Sequence, residues 1–251
     1  MESKDSVEIV EITPITVRKI NFLIGLPDVG LVGMIAASHL VESLNMNVVG
    51  YLESDLFPPV IVLHGNKIYH PFRIYQKDNI LLLLSEIPVP PLAVNAISQE
   101  LTKWLKEKNA SLIMPLGGVP VPNRMAVEEP DVYTVPTNDI ANKLIDDFSL
   151  LRLDEGIMAG PYASILLDCK KLDLPCLALL AQSFPNYPDP GAAASVIKVI
   201  NKVLKMNIDV GELIKNAEEI RVKTRDLMQR TNEQGQTMGK SQEYDLPAMY
   251  S

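Results

Sequence analysis

The chain has 251 residues, a formal net charge of -8 and a pI near 5.0. Apolar residues make up 47% and charged residues 22%, the proportions of a globular protein with a core of ordinary size. No Lys/Arg cluster of the kind that grips a phosphate backbone occurs, which argues against nucleic acid as a partner, and no apolar run nears membrane-spanning length. Cys169 and Cys176 read as buried small hydrophobes, and together with His39, His64 and His70 they lack metal-ligand spacing, so neither metal nor cofactor is expected. The first residues are acidic with no apolar run behind them, unlike a signal peptide, and the expected location is the cytoplasm.

In chain order, Val7 to Ile12 and Asn21 to Leu26 read as strands, Gly25 to Gly30 as a turn, and Leu31 to Leu44 as an apolar helix. Val48 to Tyr51 is a short strand, and Val60 to His64 with Lys67 to Tyr75 form a hairpin around Gly65-Asn66. Ile80 to Leu84 is a continuous apolar run, as a strand covered on both faces requires. Pro88, Pro90 and Pro91 open a helix to about Lys108, Ser111 to Leu116 is a second buried strand ending at Gly117-Gly118, and Asn138 caps a helix through Phe148. Gly156 to Gly160 leads into a helix through Lys171, followed by a third buried strand, Leu174 to Ala181. Asp189-Pro190 starts a helix through Lys205, and Asp209 starts another through about Arg230. Strands alternating with helices predict a three-layer α/β/α sandwich on a mostly parallel central sheet, with the Gly65 hairpin as an antiparallel addition.

Thr231 to Ser241 has no apolar period and two glycines, which reads as a polar tether. The expected organisation is thus one α/β/α domain over 1–230 and a flexible tail over 231–251. Beyond the tether lie Tyr244, Leu246, Met249 and Tyr250, with Ser251 last. Such an end reads either as a frayed terminus or as a segment that a pocket grips by its ring and its free carboxylate.

Five internal runs stand out. Gly25-Leu-Pro-Asp-Val-Gly-Leu-Val-Gly33 follows a strand and opens a helix, where a phosphate can bind, but it has neither G-x-G-x-x-G nor P-loop spacing. Its glycines equally serve to lay the helix close on the sheet. Glu86 to Pro91 and Gly117 to Pro122 lie at carboxyl ends of apolar strands, and Arg124, Glu128 and Glu129 follow the second, a set able to do acid–base work. No Ser or Cys sits in a nucleophile elbow, and stiff Val/Pro loops also suit a protein-binding surface. Asn186-Tyr-Pro-Asp-Pro-Gly-Ala-Ala-Ala194 is explicable as architecture: Pro188 and Pro190 fix an extended turn, Asp189 caps, and Ala192 to Ala194 allow tight helix packing. From Asp209 to Arg230, Val210, Leu213, Ala217, Ile220 and Leu227 form an apolar stripe that packs either on the chain's own body or on another copy.

The runs Gly25 to Gly33, Gly117-Gly118, Gly156-Ile-Met-Ala-Gly160 and Tyr187-Pro-Asp-Pro-Gly-Ala-Ala193 are similar, in this order, to archaeal members of the proteasome assembly chaperone family. The resemblance spans roughly Asn21 to Arg230. It implies an α/β/α sandwich shaped like nucleoside phosphorylases without their catalytic residues, homo-oligomers, and engagement of proteasome α subunits. It also gives the tail a meaning. Met249, Tyr250 and Ser251 match the hydrophobic-Tyr-X ending that docks between neighbouring α subunits, where a lysine takes the terminal carboxylate. Ala248-Met249 is a departure, with Pro247 just upstream: a larger apolar residue is the expected type there, and Met is flexible. The expectation is a non-enzymatic proteasome-interacting chaperone or adaptor. The alternatives are a nucleoside- or phosphate-binding enzyme and a scaffold with an inert tail.

Overall fold

The structure is a computed structural model, and it describes residues 6–237. Its elements are β1 (Glu8–Glu11), β2 (Asn21–Gly25), α1 (Val32–Ser43), β3 (Asn47–Glu53), β4 (Val62–His64), β5 (Lys67–Tyr69), β6 (Phe72–Lys77), β7 (Ile80–Ser85) and α2 (Val94–Glu107). There follow β8 (Leu112–Pro120), β9 (Val132–Pro136), α3 (Asp139–Phe148), β10 (Leu151–Arg152), α4 (Pro161–Lys171), β11 (Leu177–Ser183), α5 (Pro190–Leu204), α6 (Gly211–Lys215) and α7 (Ala217–Thr237).

A nine-stranded sheet in the order β1-β3-β6-β7-β2-β8-β11-β9-β10 forms the middle layer. Strand alternation splits the core in two. Leu23, Leu82, Met114 and Leu179 face α1, α3, α5 and α7, whereas Ile24, Leu83, Ile113 and Leu180 face α2 and α4. Side chains on both faces of the central strands are buried, which is why those strands read as unbroken apolar runs. The three expected layers are present.

The sheet is mixed rather than mostly parallel. β7, β2, β8 and β11 are parallel neighbours, but β1, β3 and β6 on one side and β9 on the other pair antiparallel. The expected second hairpin strand, Lys67 to Tyr75, breaks at His70-Pro71: β5 pairs with β4, while β6 enters the large sheet. Proline cannot donate to a ladder, so the chain changes sheets there. The turn between β4 and β5 is at Gly65-Asn66 as expected, with both residues at positive φ. Asn138 caps α3 through Ala141 N at 3.1 Å, and Asp189 caps α5 through Ala192 N at 3.0 Å.

The last helix differs in two ways. It is broken at Asn216 between α6 and α7, and α7 continues to Thr237, past Arg230 and into the stretch read as a tether. Glu and Gln sustain a helix well. Two interactions help, the Thr231 hydroxyl donating to the Leu227 carbonyl at 2.8 Å and Gln229 to Glu233 at 3.2 Å. Leu213 and Met228 are buried and Ile220 and Leu227 pack beside them, so the stripe is largely used on the chain's own core.

Candidate functional site

The four parallel central strands deliver their following loops to one end of the sheet. β3 also finishes there and β6 starts there, since Tyr51 pairs with Arg73 and Phe72 with Ser85. The hairpin β4–β5 therefore rises at the same end. The glycine- and proline-rich runs that follow β2, β7, β8 and β11 lie at this end, with the Gly156–Gly160 loop.

Beneath its surface the face is tightly packed. A Cβ on Gly33 would lie 1.9 Å from the Leu116 carbonyl oxygen, and one on Gly30, at φ 60°, would lie 1.9 Å from Ser183 Oγ. These glycines let the start of α1 press onto β8 and β11, the packing role foreseen for them. Tyr162, buried at the head of α4, accepts from Leu26 N–H at 2.8 Å and offers its proton to the Ile24 and Leu26 carbonyls at 3.4 and 3.3 Å. Burial, followed by the Asp28 carboxylate, pushes this phenol well above its ordinary pKa, so it stays a neutral donor.

The acid–base set is dispersed. Arg124 is held by Asp189 and by the Val127 carbonyl, Glu129 pairs with Lys198, and Glu128 is exposed. Glu86 is engaged by Arg73 and His64. Between Asp28, Gly118, Pro120, Gly156, Met158 and Tyr162 lies a cavity of about 40 Å³. Small-molecule pockets usually measure about 300–1,000 Å³, so this space suits a few waters and not a nucleoside. Cys169 and Cys176 are fully buried, and burial, then the Cys169 thiol, pushes Cys176 well up, as for inert thiols. Among the described residues no group of three or more His, Cys, Asp or Glu could hold a metal ion, and no helix is long and apolar enough to cross a membrane.

What the face presents outward is apolar. Leu92, Met125, Ile157 and Tyr187 are exposed on successive loops, and Ile61, Leu63 and Ile68 on the hairpin. Sequence reading missed this patch. Residues 60–63 are apolar without interruption, so no alternation marks which of them face outward. A groove of about 600 Å³ separates Asn186, Tyr187 and Pro188 from α7, and Gln236 in the last described turn lines it.

Residues 22–228 match the PAC2 family. The chain belongs to that family. The uncharacterized protein MJ0106 of Methanocaldococcus jannaschii is 30% identical over 230 residues, covering 90% of this chain and 92% of that one. Pyrococcus furiosus PbaA, an archaeal homolog of proteasome-assembly chaperone, has the same fold, with a TM-score of 0.84 and 32% identity over 90% of this chain and 98% of its own. P. furiosus PbaB, an archaeal proteasome activator, shares the fold with a TM-score of 0.74 at 22% identity, over 89% of this chain and 99% of its own. The match spans every run that builds the strand-end face. Met249, Tyr250 and Ser251, and the expected tether beyond Thr237, lie outside the described residues.

Proposed function

We propose that this chain is a non-enzymatic chaperone or adaptor of the proteasome, which docks Met249, Tyr250 and Ser251 between neighbouring α subunits as an assembly factor or activator. One observation supports the reading: similarity to PbaA over 90% of this chain, at 32% identity and a TM-score of 0.84. In the proposed contact the Tyr250 ring fills a slot, Met249 packs beside it, and the Ser251 carboxylate meets a cation. One such ending binds weakly. A homo-oligomer presenting several copies raises their effective concentration by orders of magnitude. Gln236, in the last described turn of α7, lines the same groove as Asn186, Tyr187 and Pro188.

The reading of a nucleoside- or phosphate-binding enzyme rests on glycines at strand ends, and packing against β8 and β11 already accounts for those glycines. Pull-down of proteasome α subunits by the full chain, with and without Met249 to Ser251, tests the proposal. Capture that disappears with the tripeptide is expected. Equal capture would leave the tail inert, and a phosphate-dependent rise in thermal stability would revive the enzyme reading.

A further inference from the structure

We infer that the strand-end face is a second docking surface for the same partner, with the outer face of the β4–β5 hairpin at its centre. The inference rests on the proteasome reading above and adds a contact made by the folded body.

The hairpin register pairs Val62 with Tyr69, Leu63 with Ile68 and His64 with Lys67. Opposite residues share a face and alternate residues change face. Leu63 and Ile68 therefore lie on one face together with Ile61, and these three are 65%, 70% and 58% exposed. The other face is fastened to the body. His64 Nε2 meets Glu86 Oε1 at 2.8 Å, and Glu86 also binds the buried Arg73. The Arg73 guanidinium lies over Tyr69 and Tyr75 at 5.1 and 5.6 Å, while the His70 and Tyr51 rings stack at 3.7 Å. A two-stranded ribbon alone is only marginally stable. Here its inner face is anchored, and its outer face offers three apolar side chains on a rigid mount. Such anchors bind with little ordering cost.

The surrounding charge specifies the partner. Asp55, Glu128, Asp131, Asp154 and Glu155 are exposed on loops of this end, Glu129 is neutralised by Lys198, and Lys67 stands at the hairpin tip. An apolar centre with an acidic rim complements an apolar protein surface bordered by cations. Gln236, near the end of the described chain, lines the groove shared with Asn186, Tyr187 and Pro188 on loops of this end. Body and tail can then engage one partner, each raising the effective concentration of the other.

The test measures binding of the full chain to purified proteasome α subunits at low and at physiological ionic strength. Three variants are compared: Ile61→Ser/Leu63→Ser/Ile68→Ser, Asp154→Lys/Glu155→Lys, and Tyr250→Ala. All these positions lie on the surface or in the tail, and unchanged thermal melts check that folding is intact. The serine variant is expected to weaken binding by roughly tenfold or more. The lysine variant should weaken it several-fold at low salt, with the difference shrinking as salt screens the rim. If both bind like the unaltered chain while Tyr250→Ala does not, the body contact is wrong and the tail reading stands. If the serine variant fails while Tyr250→Ala binds, the face stands and the tail reading falls. No binding by the unaltered chain overturns both.

Discussion

Arg124 and Asp189 form a two-pronged buried ion pair, Nε to Oδ2 at 2.7 Å and Nη2 to Oδ1 at 3.0 Å. The same carboxylate accepts from Ala192 N at 3.0 Å and Phe184 N at 3.3 Å, and the guanidinium lies over the Phe184 ring. One aspartate thus caps α5, closes the β11 loop and fixes the loop after β8. An arginine that seemed available for catalysis is consumed in holding the strand-end face together.

Asp189→Ala should therefore be severe. It strands a buried guanidinium and removes a helix cap, losses of about 3–5 kcal/mol and about 1 kcal/mol. Arg124→Met leaves Asp189 its two backbone donors and should cost less. Urea unfolding of both variants checks the order. A loss below about 1 kcal/mol for Asp189→Ala would contradict this role for the pair.

Gly33→Ala separates packing from helix propensity. Inside a helix this change normally stabilises by about 0.5–1 kcal/mol. Here the new methyl would lie 1.9 Å from the Leu116 oxygen and 2.6 Å from the Tyr162 hydroxyl oxygen. The expected result is destabilisation of about 1–3 kcal/mol, read from thermal or urea unfolding. A variant as stable as the unaltered chain would show that the close approach is not needed.

Glu11 supplies a pH test. Burial alone would raise its pKa, but hydrogen bonds from Lys108, Ile15 N–H and Trp104 Nε1 overcome this and leave it lowered. A carboxyl with a folded pKa below its unfolded value stabilises the fold above the unfolded pKa, and that contribution is lost as pH falls through the folded one. Glu11→Gln should accordingly cost about 1–3 kcal/mol at neutral pH. The gap from the unaltered chain should narrow below about pH 4.5, the ordinary carboxyl value. A gap independent of pH would mean that the charge on Glu11 contributes nothing.

The buried strands and the glycine-rich runs were legible because central parallel strands are apolar on both faces and because close approach of α1 to the sheet admits only glycine at Gly33. The edges were not. β10 is two residues long, and β9 reads Val-Tyr-Thr-Val-Pro with only Val132 and Thr134 buried. Such strands exist through their partners rather than through local preference. The break at Pro71 and the extension of α7 through Gly235 likewise depend on context that local pattern does not carry. At the candidate site, the family runs were readable as motifs, but their convergence on one face follows from strand order. The outward set Ile61, Leu63 and Ile68 needed the hairpin register to be seen.

Docking by the tail is tested by Tyr250→Ala in the full chain, with Tyr244→Ala as the control and proteasome α subunits as the partner. A buried ring contributes on the order of 1.5–3 kcal/mol, repeated in each engaged tail. Tyr250→Ala is expected to weaken binding far more than Tyr244→Ala. Equal binding by the Tyr250→Ala chain and the unaltered chain would contradict it.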